Sequence, residues 1–187
     1  MLADLSKFNN TWYNPGAGFL KRVCWYFINV LFLQSSLNPS SGIKVFWLRL
    51  FGAKIGNNVC IKPAVNVKYP WRLVIGDNVW IGEKVWIDNL AEVVIGNNVC
   101  ISQHAMLLCG NHNYKKETFD LIIGKIVLED ASWVGARAVV CPGITLHTGS
   151  ILTVASIATK DLDANGIYQG VPAVKIRLRN RLEKIEI

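Results

Sequence analysis

The stretch Leu73–Ser102, LVIGDNVWIGEKVWIDNLAEVVIGNNVCIS, carries an apolar beat at every sixth residue: Ile75, Ile81 and Ile87, then Ile95 and Ile101. Glycine follows the beat at Gly76, Gly82 and Gly96, and a small or β-branched residue stands four places on, at Val79, Val85, Ala91 and Val99. A helix repeats near 3.6 and an ordinary strand at 2, so a beat of six fits neither alone. It fits a short strand plus a tight corner, wound repeatedly around one core. The beat residue and the one four later then face inward. Glycine after the beat is expected to let the chain turn where a Cβ would clash.

The beat extends back through Ile55, Ile61 and Val67 and forward to Leu107, then resumes at Leu128, Val134, Val140, Leu146, Leu152 and Ala158. Ile55 to Ile75 and Ile75 to Ile95 each span 20 residues, and Leu128 to Leu146 spans 18. One coil is therefore three hexapeptides, with two extra residues at one corner of the early coils. The expectation is an all-β solenoid, a triangular prism with like residues stacked: Val59, Val79 and Val99 inside, Cys60, Trp80 and Cys100 outside. One coil cannot bury its apolar face alone, so at least three are needed. Each buried Val or Ile contributes roughly 1.5–3 kcal/mol before entropy is subtracted. A β-sandwich of short strands is the alternative, but sandwiches do not hold a phase this long.

At 187 residues the chain suits one solenoid with flanking segments. The spans are expected at 1–52 for an N-terminal arm and apolar helices, 53–165 for the solenoid with an inserted loop at about 109–124, and 166–187 for a C-terminal segment and helix. Half the residues are hydrophobic, and the formal charge is +7. Basic residues gather at the ends, Lys21, Arg22, Lys44 and Arg49 early and Lys175, Arg177, Arg179, Arg181 and Lys184 late, which suits phosphate-bearing ligands or an anionic membrane surface, or simply a solvated face. Five cysteines, with no C-x-x-C pair, argue against a disulfide framework or zinc site and fit a reducing, cytoplasmic compartment. No basic helix with base-reading residues points to nucleic acid.

Residues 1–18 are polar and read as an extended arm. Phe19 to Leu33 reads as a helix with Phe19, Val23, Phe27, Val30 and Leu31 on one face. It is apolar nearly all round, so it must pack on the solenoid, on a partner subunit or at the membrane interface. Pro39-Ser40-Ser41-Gly42 reads as a turn and Ile43 to Phe51 as a second apolar helix.

Ile95 to Leu128 covers 33 residues where a coil needs 18 to 20. Some 13 to 15 residues therefore loop out around Cys109-Gly110-Asn111-His112-Asn113-Tyr114. Such an insertion adds nothing to a solenoid's stability, and loops of this length are commonly functional. His112 is its histidine, and imidazole suits general-base work near neutral pH. His104 and His147 read as surface residues of the coils. A base needs an orienting carboxylate or carbonyl, with Asp88, Glu92 and Asp120 as candidates. Asp88 and Asn89 are candidates to bind an acceptor in the same cleft, Tyr114 to stack on it, and Asn111 and Asn113 to set the turn around His112.

The Ile/Leu/Val-Gly-x-x-small-x repeat resembles that of the hexapeptide-repeat acyltransferases. Within them, Leu48-Arg49-Leu50-Phe51-Gly52-Ala53-Lys54-Ile55-Gly56, Lys68-Tyr69-Pro70-Trp71 and Trp86-Ile87-Asp88-Asn89-Leu90 resemble the colanic-acid-type O-acetyltransferases of bacterial exopolysaccharide biosynthesis. The resemblance implies a left-handed parallel β-helix. It also implies acetyl-CoA as co-substrate, with no metal, and a homotrimer with sites between subunits. His112 would take a proton from a sugar hydroxyl, which then attacks acetyl-CoA directly. The cofactor would lie along a prism edge lined by Gly135, Ala136, Thr153 and Lys160. Gly170, Pro172 and Ala173 resemble the family's Gly-x-Pro-Ala-Lys, but Val174 holds the lysine position. This leaves Lys160, Lys175 and Arg177 as candidates for the phosphates.

Trp80, Trp86 and Trp133 project from flat faces and suit the subunit interface. Ala173–Ile185 reads as a basic helix. Residues 19–33 are a candidate for peripheral contact at the inner face of the cell membrane. Another acceptor (a nucleotide-sugar amine, serine or an antibiotic) and a non-catalytic scaffold are the alternative functions.

Overall fold

The computed structural model describes residues 3–180. Its body is a parallel β-solenoid of about six turns with three faces. The first face stacks Lys54–Ile55, Leu73–Ile75, Val93–Ile95, Ile126–Leu128 and Thr145–Leu146. The second stacks Cys60–Ile61, Trp80–Ile81, Cys100–Ile101, Trp133–Val134, Ile151–Leu152 and Gly166–Gly170. The third stacks Asn66–Val67, Trp86–Asp88, Met106–Leu108, Val139–Val140 and Ile157–Ala158. The register follows the sequence period, with Ile55 against Ile75, Ile75 against Ile95, Ile95 against Leu128, and Leu128 against Leu146. The beat residues from Ile61 to Ala158 and most of their partners four places on are buried; Val59, in the first coil, is half-buried.

The glycines after the beat do a different job from the one expected. None of Gly56, Gly76, Gly82, Gly96 and Gly135 has a positive φ. A Cβ on Gly76 would lie 2.8 Å from the Gly96 carbonyl carbon, and one on Gly135 would lie 2.6 Å from Val154 N. Stacking of coils, rather than turning, therefore excludes a side chain here. The turning is done two residues later by Asn58, Asn78 and Asn98, at φ 53°, 57° and 57°. Asparagine tolerates that left-handed conformation better than most residues. Beside them a side-chain ladder ties coil to coil: Asp77 Oδ1 accepts from Asn57 N at 2.6 Å, Asn97 Oδ1 from Asp77 N at 2.8 Å, and Asp130 Oδ1 from Asn97 N at 2.7 Å.

Two helices close the first coil. Helix α1, Phe19–Ile28, runs into a π turn at Asn29–Leu33, where Gln34 N donates to Asn29 O at 2.8 Å. The face against the solenoid is Trp25, Asn29 and Leu33, with Trp25 Nε1 donating to Val67 O at 2.9 Å. Of the apolar stripe on another face, Val23 is half-buried and Phe19, Phe27, Val30 and Leu31 are exposed. Helix α2, Ser41–Leu50, begins inside the expected turn, because Ser40 Oγ caps it by accepting from Ile43 N. Its buried Lys44 donates to Asn38 O at 2.7 Å and Ile61 O at 3.2 Å, and burial pushes its pKa down.

The expected C-terminal helix is not formed over its first part. Ala173–Leu178 is a strand that pairs antiparallel with Gly166–Gly170. Gly170, at φ 104°, admits the reversal, and the returning strand satisfies the open edge of the last coil. Residues 181–185 of that expectation lie outside the described residues.

Candidate functional site

The insertion folds as a β-hairpin at the corner between the third and first faces. Gly110–His112 pairs with Leu121–Ile123, with His112 opposite Leu121. Gly124 N donates to Cys109 O at 2.9 Å and closes the neck, so the column resumes at Ile126 without a break in register.

His112 is half-buried. Its ring lies parallel to that of Phe119, 4.5 Å between centroids, and Phe8 flanks it at 5.7 Å. His112 Nδ1 is 2.9 Å from Phe119 O. A carbonyl only accepts, so Nδ1 carries the proton, and the neutral ring keeps a lone pair on Nε2. The orienting group is this carbonyl rather than any of the three expected carboxylates. Asp120 is held by Lys116 at 2.8 Å and Thr118 at 2.6 Å, Glu92 by Lys125 at 2.7 Å, and Asp88 by Lys68 at 2.9 Å. Hydrogen bonds from Lys116 and Thr118 pull the Asp120 pKa down. Cys109, at the root of the hairpin, is fully buried, and burial pushes its thiol up to about 11.

The N-terminal arm reaches the same corner. Asp4 N donates to Glu117 O at 2.8 Å, and Lys7 pairs with the Glu117 carboxylate. Tyr13 Oη donates to Leu90 O at 2.9 Å, and Trp71 Nε1 donates to Pro15 O at 2.8 Å. The Arg72 guanidinium donates to the carbonyls of Leu90 and Asn14. Burial raises Tyr13 to about 12, so it remains a neutral donor.

Arm, α1, hairpin and coil border an open cavity of about 530 Å³ lined by Phe8, Asn10, Tyr13, Arg22, Lys68, Tyr69 and His112 among others. A second, of about 350 Å³, shares Arg22, Lys68 and Tyr69 and runs on to Trp86 and Asp88. His112 and Asp88 thus lie along adjoining hollows on one edge of the column.

The other expected acceptor residues divide. Asn89 is fully buried; its Oδ1 accepts from Tyr69 N at 2.8 Å, and its Nδ2 donates to Tyr69 O at 2.6 Å. It is a clamp between coils rather than a surface for a ligand. Asn111 is exposed, and its Oδ1 accepts from His112 N at 2.8 Å, while Tyr114 is 75% exposed at the hairpin tip. Asn10, Tyr13 and Lys68 went unnoticed as site residues, and Arg22 was read only as one of the basic residues of the early end, because no repeat phase links the arm and α1 to the hairpin.

A separate groove of about 410 Å³ runs along the second face. Ser102, Gln103, Trp133, Gly135, Ala136 and Ile151–Val154 line it. It therefore gathers Gly135, Ala136 and Thr153. A smaller hollow of about 160 Å³, beside Trp80, shares Ser102 and Gln103 with it. Gly170, Pro172 and Ala173 lie instead at the terminal hairpin's reversal, where Gly170 N donates to Ser156 Oγ at 3.0 Å. Lys175 is tied to Asp163 at 2.9 Å, while Lys160 and Arg177 are exposed. The second-face groove and the His112 cavity share no lining residue within one chain. His104 is exposed on a coil corner, and His147 Nδ1 meets Glu129 Oε1 at 3.0 Å. Among the described residues no three His, Cys, Asp or Glu side chains gather as metal ligands.

A repeating three-sided column is the build of the hexapeptide-repeat acetyltransferases, left-handed β-helix enzymes, and the chain belongs to that family. It is 35% identical over 182 residues, 97% of this chain and 100% of the relative, to WcaF of Escherichia coli K12, named as a colanic acid biosynthesis acetyltransferase. It is also 31% identical over 140 residues to the galactoside O-acetyltransferase of Escherichia coli K12, 71% of this chain and 66% of that one. A hexapeptide-repeat acetyltransferase from Vibrio cholerae, solved with acetyl coenzyme A, shares the fold at TM-score 0.77 and 20% identity, over 86% of this chain and 88% of that one. No family model matches the chain.

Proposed function

We propose that the protein is an acetyl-CoA-dependent O-acetyltransferase acting on a sugar hydroxyl in bacterial exopolysaccharide biosynthesis, with His112 as general base. The observation that carries this reading is the Phe119 carbonyl on His112 Nδ1, which leaves Nε2 as a proton acceptor beside a cavity large enough for a sugar ring. The acceptor hydroxyl gives its proton to Nε2 as its oxygen bonds to the acetyl carbonyl carbon. The carbon–sulfur bond breaks, and the departing thiolate takes the proton back from the imidazolium. Transfer is direct: the cysteine nearest His112 in the sequence, Cys109, is buried and held as a thiol, which makes it a poor nucleophile. Asp88, Asn111 and Tyr114 are the acceptor-side candidates that remain.

The second-face groove fits acetyl-CoA. Its apolar walls, Trp133, Ile151, Leu152 and Val154, suit a pantetheine arm, and Gly135 and Ala136 leave the backbone open there. When bound there, acetyl-CoA supplies the thioester. Lys160 and Arg177 are the cations for its phosphates, since Lys175 already holds Asp163. The groove and His112 sit apart on one chain, so the complete site would form between neighbouring copies. A homotrimer, with the exposed Trp80 and Trp133 ladder in its interface, meets that need. Among the described residues no helix is long and apolar enough to cross a membrane. The exposed stripe Phe19, Phe27, Val30 and Leu31 suits peripheral contact with the inner face of the cell membrane from the cytoplasm.

The test is His112→Ala. The variant should keep its circular dichroism spectrum and oligomeric state and lose about 10²–10⁴-fold in turnover, read as free CoA thiol released with a sugar acceptor. Undiminished turnover would remove His112 from the chemistry.

A further inference from the structure

We infer that the His112 cavity takes an acceptor bearing a phosphate group, with Arg22 as its anchor. This rests on the reading above that the cavity holds the acceptor. The cavity wall contains two cations, Arg22 and Lys68, and no carboxylate. Lys68 is answered by Asp88 in the adjoining hollow. Arg22 lines that hollow with Asp88 but has no ion pair among the described residues, and its Nε is buried without a hydrogen-bond partner among them. A guanidinium stays charged and carries five donors, and leaving one desolvated and unpaired is costly. The planar fork matches phosphate oxygens, and a phosphate here would repair that deficit.

A second orphan lies in the same wall. Asn10 Oδ1 is also buried without a partner among the described residues. An acceptor atom of this kind is met by a donor, and a sugar hydroxyl is one. The cavity thus offers three groups in three chemical states: a cation without an anion, a carbonyl oxygen without a donor, and an imidazole nitrogen with a free lone pair. A phosphorylated sugar satisfies all three, whereas a neutral sugar leaves the guanidinium unanswered. The phosphate could sit on a soluble sugar ester or belong to a lipid-borne group presented beside the exposed apolar stripe of α1.

Calorimetry on the intact protein separates these cases, using galactose 1-phosphate, galactose, and vesicles of phosphatidylcholine with or without phosphatidylglycerol. Galactose 1-phosphate should bind more tightly than galactose, and Arg22→Gln should weaken it by about 10- to 100-fold. Arg22→Lys should fall between, since it keeps the charge and loses the fork. Acetyl-CoA affinity should be unchanged in both variants, which checks that they are folded. Arg22-dependent binding to phosphatidylglycerol vesicles, without galactose 1-phosphate binding, would support the same phosphate site with a lipid-borne source. Equal affinity for galactose and galactose 1-phosphate with no Arg22 effect on vesicles overturns the proposal, as does phosphate binding that Arg22→Gln leaves intact. None of these readouts uses turnover. Loss of the base assignment at His112 would therefore leave the phosphate result standing, and the reverse also holds.

Discussion

The column and the corner that holds His112 are built on opposite principles. In the column, each coil repeats the last, side chains such as Leu107 and Val140 are wholly buried, and neighbours outside the insertion are 20 residues apart in the early coils, 18 in the later ones and 16 at the last. At the corner, contacts join distant segments: Tyr13 to Leu90, Pro15 to Trp71, Asp4 to Glu117. The first two are hydrogen bonds from a side chain to the backbone and the third joins two backbones, and arm residues with no periodic place take part in all three. The lesson is a division of labour. Apolar burial fixes the scaffold, and a few polar bonds aim the functional groups from it.

That contrast is broken most sharply by two substitutions. His112→Ala, with its expected loss of about 10²–10⁴-fold in turnover, should leave the thermal midpoint almost unmoved, because the ring stacks only on Phe119 and Phe8. Leu107→Ala, in the third coil directly below the hairpin, should do the reverse. It removes a fully buried side chain and should cost about 2–5 kcal/mol by denaturant titration. Residual folded enzyme should keep its turnover. If Leu107→Ala abolished turnover per folded molecule while leaving stability intact, scaffold and site would not be separable.

The same division explains what could be read from the residues. The beat at Ile75, Ile81 and Ile87 gave the coils and their register, because burial on a repeating surface must repeat in the chain. The 33-residue gap between Ile95 and Leu128 located the hairpin and His112. The Phe119 carbonyl on His112 was not legible, since any residue supplies a carbonyl and only the fold of the hairpin chooses which one. Arg22 was legible as a basic residue of the early end, but its place at this corner was hidden for a related reason. It lies in a helix that is apolar nearly all round, with the stripe Phe19, Phe27, Val30 and Leu31 exposed. Both faces of that helix are apolar, so periodicity could not choose between them. The terminal strand Ala173–Leu178 misled because its basic residues suited a helix. The strand is selected by an open sheet edge on the last coil, which is a tertiary demand.

Asn89 sits where the two regimes meet, and it sharpens the comparison at a smaller scale. Its amide answers both the N–H and the C=O of Tyr69, one coil below, and Tyr69 lines the cavities on either side of Lys68. Asn89→Ala should cost about 1–3 kcal/mol, the penalty for leaving buried backbone groups unpaired. It should also raise KM for the acceptor without altering acetyl-CoA affinity, because the second-face groove is elsewhere. A change confined to acetyl-CoA binding would contradict the assignment of Asn89 to the acceptor corner.

The smallest effect belongs to a polar latch on the column itself. Glu129 accepts from Thr148 N at 2.9 Å and Thr148 Oγ1 at 3.0 Å, and its other oxygen meets His147 Nδ1 at 3.0 Å. The Thr148 backbone N–H is the main cause holding this carboxyl below its usual value, with the His147 bond next. A carboxylate with a lowered folded pKa is stabilising above the unfolded value of 4.5 and loses that contribution as pH falls through the folded one. The side chain is 36% exposed, so solvent screens it and the contribution should stay below about 1 kcal/mol. Glu129→Gln should therefore melt slightly below the parent at pH 7. The gap should close as the pH falls below the unfolded value, because protonation then removes from the parent what the substitution removes from the variant. A gap that widened in acid would mean that the column depends on this latch through a route other than its charge.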